Sequence, residues 1–119
     1  MSEKIYYYIL LEFDATDTNS LDQVMACFEQ CLAQNWVIDG VVSQNLQQYK
    51  NLWALRENLS VICSQHYLTY KNDLSVIVSK VSGFLTEVET LVRQGYSNLL
   101  VVWWGHIGDG NLHLNILKK

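Results

Sequence analysis

Apolar and polar positions repeat with two different periods along the chain, and the switches between them outline its elements. Ile5 to Phe13 is aromatic, β-branched and nearly all apolar, which predicts a strand covered on both faces. Asp14 to Asn19 carries turn chemistry. Ser20 then stands as a helix cap with Gln23 three residues on, as in a capping box. Leu21, Val24, Met25, Phe28, Cys31 and Leu32 follow at the spacing of a helix with one apolar stripe. Trp36 to Val42 predicts a short strand interrupted by Asp39-Gly40, and Gln44 to Ser64 a long helix.

Tyr67 to Val78 reads as a strand, with alternation around Lys71 and Asp73. Ser79 to Arg93 predicts a helix with Val81, Phe84, Leu85, Val88, Leu91 and Val92 on its apolar face, closed by Gly95. Asn98 to Trp104 is too short for a helix and predicts a buried strand. In the last stretch Leu112, Leu114 and Ile116 take one face of a strand, and Asn111, His113 and Asn115 the other. The order β-α-β-α-β-α-β-β predicts one domain over residues 1–119. Its class is α+β: a largely antiparallel sheet with helices on one face, in a ferredoxin-like arrangement.

Composition narrows the function classes. Half of the 119 residues are hydrophobic and 17% are charged, which suits a packed globular chain. A net charge of −4, with no basic run, argues against nucleic acid or an anionic membrane surface as partner. The apolar run Ile5–Leu11 is too short to span a bilayer, and no small-residue cleavage site follows it. Three cysteines are an odd number, which disfavours a disulfide framework and fits thiols kept reduced in a cytoplasm or a mitochondrial matrix.

Two features carry candidate chemistry. On a helical wheel over 44–64, Arg56 lies in the middle of the apolar arc formed by Tyr49, Leu52, Trp53, Leu55, Leu59, Ile62 and Cys63, with Ser60 one turn later. A guanidinium there needs an anion: an internal partner such as Asp73 or Glu12, a snorkelling path to the rim, or a bound carboxylate or phosphate. The second feature is the turn between Trp104 and Asn115. In a simple antiparallel register His106 and His113 become diagonal neighbours, so both imidazoles could reach one metal ion. The competing reading is two polar residues near a turn, since two ligands do not close a zinc site. Asp109 is the nearby acid, and in a glycine turn it caps its own loop more often than it serves a ligand.

The run Gly105-His106-Ile107-Gly108-Asp109-Gly110-Asn111-Leu112-His113-Leu114-Asn115 resembles the GHxGDGNxHxN signature of FAD-linked oxidases of the D-2-hydroxyacid type. That group includes D-lactate dehydrogenases, the glycolate oxidase flavin subunit and D-2-hydroxyglutarate dehydrogenase. Leu52-Trp53-Ala54-Leu55-Arg56-Glu57 and Tyr70-Lys71-Asn72-Asp73-Leu74-Ser75 are similar to further motifs of the family's C-terminal region. The resemblance implies that His106 and His113 bind a divalent metal, zinc or manganese. It implies that Arg56, Ser60 and Lys71 hold substrate carboxylates and that Asn115 adds a hydrogen bond. In the complete enzyme, hydride would pass from the substrate C2 to the N5 of FAD. Two cations suit a diacid, so the D-2-hydroxyglutarate branch is nearest.

The family's FAD-binding domain has no counterpart in these residues. The downstream Glu-His-Gly element, which would supply a third metal ligand and the catalytic base, lies beyond Lys119 in the family pattern. The expectation is therefore a piece of the substrate- and metal-binding domain, inactive alone, whose partners are a small 2-hydroxyacid and the missing FAD domain. The alternative is a non-catalytic α+β binding module, as a homodimer that buries the surface the missing segments would cover.

Overall fold

A computed structural model describes residues 7–119, and the chain divides into two units, Met1–Glu57 and Asn58–Lys119. In the first unit, helix α1 spans Thr18–Ala33. Its cap is Asp17 rather than Ser20. The Asp17 carboxylate accepts from the Ser20 backbone N–H at 2.8 Å and from the Ser20 hydroxyl at 2.8 Å, so Ser20 lies inside the first turn. Val24, Met25, Phe28, Cys31 and Leu32 form the half-buried stripe that the periodicity predicts. Leu21 is the exception, and is exposed.

The far end of α1 explains why no strand follows. Asn35 turns into the left-handed region at φ 57°, the Trp36 N–H donates to the Cys31 carbonyl at 3.0 Å, and the Asn35 N–H to Leu32 at 3.0 Å. These two bonds form the reverse turn that closes many helices, and they send the chain away from an extended course. Trp36–Val42 has no ladder partner and is irregular, with Trp36 72% exposed. The strand expected at 5–13 is also not formed over Tyr7–Phe13, while residues 5 and 6 lie outside the described part. In both segments a β-forming composition lacks the neighbour that a strand requires.

The helix expected over Gln44–Ser64 is interrupted at Asn58. Helix α2 spans Leu46–Glu57, capped by the Asn45 side chain, which accepts from the Gln48 N–H at 2.9 Å. Helix α3 spans Leu59–His66 and belongs to the second unit. Leu52, Trp53, Arg56, Leu59 and Ser60 are half-buried and Cys63 is buried, as the wheel predicts. Leu55, Ile62 and Tyr49, placed on the same arc, are exposed instead.

The second unit continues with β1 (Leu68–Ser75), a 3-10 turn at Val78–Lys80 and α4 (Val81–Gly95). Then come β2 (Leu100–His106), a second 3-10 turn at Ile107–Asp109, and β3 (Asn111–Lys118). The three strands form one antiparallel sheet in the order β1-β3-β2, so the fold is α+β.

Helix α4 meets the sheet through an edge-to-face pair, Phe84 on Trp103, with ring centres 6.2 Å apart and planes at 63°. Trp103 stands opposite Leu114, so this is also the face of Leu112 and Ile116. Leu91, expected on the apolar stripe of α4, is exposed. The opposite sheet face is polar in sequence, and only its central strand is buried there, with Asn115 1% exposed and Leu117 3%. That face carries the candidate site.

Candidate functional site

The register arranges the face in rows. His106 is opposite Asn111, which is opposite Ser75; Trp104 is opposite His113, which is opposite Asp73; Val102 is opposite Asn115, which is opposite Lys71. Directly paired residues of an antiparallel ladder point to the same side, so the chemistry-bearing side chains of all three strands share one surface. His106 and His113 are diagonal neighbours across this ladder, the relation expected from the sequence.

The hairpin that sets this register depends on two of its three glycines. Gly110 adopts φ 71°, donates its N–H to Ile107 at 3.2 Å and accepts from the Val76 N–H at 3.0 Å. A Cβ on Gly110 would stand 1.9 Å from the Val76 carbonyl oxygen. Gly105 lets β2 pass close to β3, where a Cβ would stand 2.1 Å from the Asn111 carbonyl oxygen. Asp109 closes the turn, its carboxylate accepting from the Asn111 N–H at 3.0 Å. The candidate reading of Asp109 as a loop cap therefore matches the geometry.

His113 is held at its ring by β1 and at its carbonyl by its own strand. Its Nδ1 lies 2.6 Å from Asp73 Oδ1, and its carbonyl accepts from Asn115 Nδ2 at 3.1 Å. The side chain of His113 is 28% exposed and that of Asp73 81%. His106, at the end of β2, is exposed. On β1, the Lys71 ammonium donates to Ser60 Oγ of α3 at 3.0 Å. The second unit thus brings together Ser60, Lys71, His106, His113 and Asn115 on three adjoining rows and one flanking helix.

Arg56 belongs to the first unit, in the last turn of α2, where a cation complements the partial negative charge of the helix end. The internal partners considered for it are engaged elsewhere. Glu12 accepts from the Tyr49 hydroxyl at 3.2 Å, and Asp73 pairs with His113. Desolvation pushes the Tyr49 hydroxyl above its ordinary pKa, and the Glu12 charge beside it adds to the shift.

Asp73 is the residue that reading the sequence as local pattern missed in this role. Its alternation with Lys71 was visible in β1, and the pairing of β1 with β3 is what turns that alternation into a contact with His113. Two imidazoles share a face and the Nδ1 of one is engaged by a carboxylate, while among the described residues no group of three His, Cys, Asp or Glu side chains could hold an ion.

Comparison with known proteins settles which family built this surface. The profile described as "FAD linked oxidases, C-terminal domain" matches residues 2–119. The chain belongs to that family. A D-2-hydroxyglutarate dehydrogenase of Stutzerimonas stutzeri is 54% identical over 112 residues, covering 94% of this chain and 24% of that protein. One of Xanthomonas citri pv. viticola is 47% identical with the same coverage. The mitochondrial D-2-hydroxyglutarate dehydrogenase of Bos taurus is 35% identical over 114 residues, covering 95% of this chain and 21% of that protein. The chain thus spans about a quarter of the length of the bacterial relatives. Among the described residues, no helix is long and apolar enough to cross a membrane.

Proposed function

We propose that this chain is the part of a FAD-dependent D-2-hydroxyacid dehydrogenase that binds the substrate's carboxylates and half of a divalent metal site, with D-2-hydroxyglutarate as substrate. The observation that carries this reading is the sharing of one sheet face by Lys71, His113 and His106 in three adjoining rows. Family membership and the names of the bacterial relatives support the FAD-linked, D-2-hydroxyglutarate part of this reading.

Lys71 is a point charge aimed by its bond to Ser60, so a carboxylate arriving there meets an ammonium and a hydroxyl together. The family motif that contains Arg56 implies a carboxylate-binding role for it too, a role read from the sequence. His113 and His106 would be two of the ligands of a zinc or manganese ion. When bound, the metal supplies Lewis-acid polarisation of the substrate hydroxyl, and FAD supplies the electron acceptor. Asn115 has almost no free surface, so it acts by holding the His113 backbone in place. The protein works in a cytoplasm or a mitochondrial matrix, compartments that suit its free thiols.

Calorimetry with zinc and manganese, together with amide chemical-shift mapping with D-2-hydroxyglutarate, tests this on the chain as it stands. Metal uptake weakened by His106→Ala and by His113→Ala is expected, as are ligand shifts centred on Ser60 and Lys71 that Lys71→Ala removes. No metal uptake and no shifts at millimolar D-2-hydroxyglutarate would overturn it. One observation favours a second reading, a non-catalytic homodimerising module: Tyr8, Ile9, Trp36 and Val41 present exposed apolar side chains in the first unit. A concentration-dependent dimer in sedimentation, combined with no ligand response, would establish that reading.

A further inference from the structure

We propose that Asp73 is a positioning residue that fixes the tautomer of His113, placing the ring proton on Nδ1 and presenting Nε2 as the nitrogen that meets a divalent cation. The inference rests on the reading of His113 as a metal ligand and adds to it a residue and an atom.

The geometry comes from the ladder. Asp73 and His113 are directly opposed across β1 and β3, and Asp73 Oδ1 lies 2.6 Å from His113 Nδ1. An ionised carboxylate only accepts hydrogen bonds, so in a neutral imidazole at that distance the proton sits on Nδ1 and the lone pair on Nε2. Trp104 is the cross-strand neighbour of His113 on the other side, and the His113 side chain is 28% exposed. The second carboxylate of the hairpin is not a competitor, since Asp109 is committed to the Asn111 N–H. A carboxylate on the outer nitrogen of a ligating histidine fixes the ring orientation and raises the basicity of the inner nitrogen. The tie also crosses strands: Asp73 stands in the same strand as Lys71, two residues on, so one register sets both the cation for a carboxylate and the orientation of the imidazole.

Long-range nitrogen–proton correlation spectra of the 119-residue chain, taken above the histidine titration range, show which ring nitrogen carries the proton. His113 is expected as the Nδ1–H tautomer. Asp73→Ala should shift it toward the Nε2–H form that free histidine prefers, with His66 and His106 unchanged as internal references. In parallel, Asp73→Ala should weaken zinc uptake by about 10- to 100-fold. A wild-type His113 in the Nε2–H form overturns the proposal, as does an Asp73→Ala protein with unaltered tautomer and zinc affinity. Should Asp73→Ala lose its dispersed amide spectrum, the wild-type tautomer decides alone. An Nδ1–H His113 in a chain that takes up no zinc would sink the metal reading and leave the role of Asp73 in orienting the ring standing.

Discussion

Asn115 and Lys71 face each other across the β1–β3 ladder, one almost wholly buried and the other exposed. Their substitutions should therefore separate stability from binding. Asn115→Ala removes the bond to the His113 carbonyl and leaves that space unfilled, at a cost of about 1–3 kcal/mol in chemical denaturation. Lys71→Ala should stay within about 0.5 kcal/mol of wild type, as exposed substitutions do, while removing the response to a dicarboxylate. Equal loss of stability in both variants would contradict this division.

The three glycines of the hairpin should differ sharply. Gly110→Ala combines a left-handed backbone with a Cβ driven against the Val76 carbonyl, and Gly105→Ala drives a Cβ into β3. Each should destabilise by about 2 kcal/mol or more and displace the His106 row, visible as shifts at Asn111 and Ser75. Nothing lies within 4 Å of a Cβ on Gly108, so Gly108→Ala should fold normally.

Trp103 packs against Phe84 while its indole N–H is buried without a partner among the described residues. Trp103→Phe keeps an aromatic ring against α4 and removes the unpaired donor, so it should cost less than about 1 kcal/mol. Phe84→Ala removes the ring that α4 contributes and should cost about 2–4 kcal/mol. Thermal melts of the two variants make the comparison.

Acid should loosen the start of α1 through Asp17. The Ser20 backbone N–H, and next the Ser20 hydroxyl, hold its carboxyl below the ordinary aspartate range. A depressed value means that the cap contributes fully above the unfolded aspartate value of about 3.9 and is lost as pH falls through the lower folded value. The Ser20 amide resonance should follow that low-pH titration in the wild type. In Asp17→Asn, which still caps but carries no charge, it should stay flat over the same range.

Elements whose evidence is local were legible in the sequence. The alternation of β3, the stripes of α1 and α4 and the diagonal placement of His106 and His113 all follow from residue spacing. What failed depended on partners. Tyr7–Phe13 and Trp36–Val42 have β-forming residues, but pairing decides strands, and the turn at Asn35 redirects the second segment before it can extend. The cap of α1 moved from Ser20 to Asp17 because the Asp17 carboxylate, three residues earlier, accepts from both the Ser20 N–H and the Ser20 hydroxyl and draws Ser20 into the first turn. The role of Asp73 was hidden for another reason. It sits forty residues from His113, and only the order β1-β3-β2 makes the two neighbours.

That strand order also sets a schedule for synthesis. The central strand follows both of its neighbours in the sequence, so β1 and β2 leave the ribosome with no hydrogen-bonding partner between them. At ordinary elongation rates β1 waits on the order of seconds before β3 arrives to be shared. During that interval two open backbone edges are available to any other extended chain. The nascent protein is therefore most in need of a chaperone just before its histidine hairpin is completed.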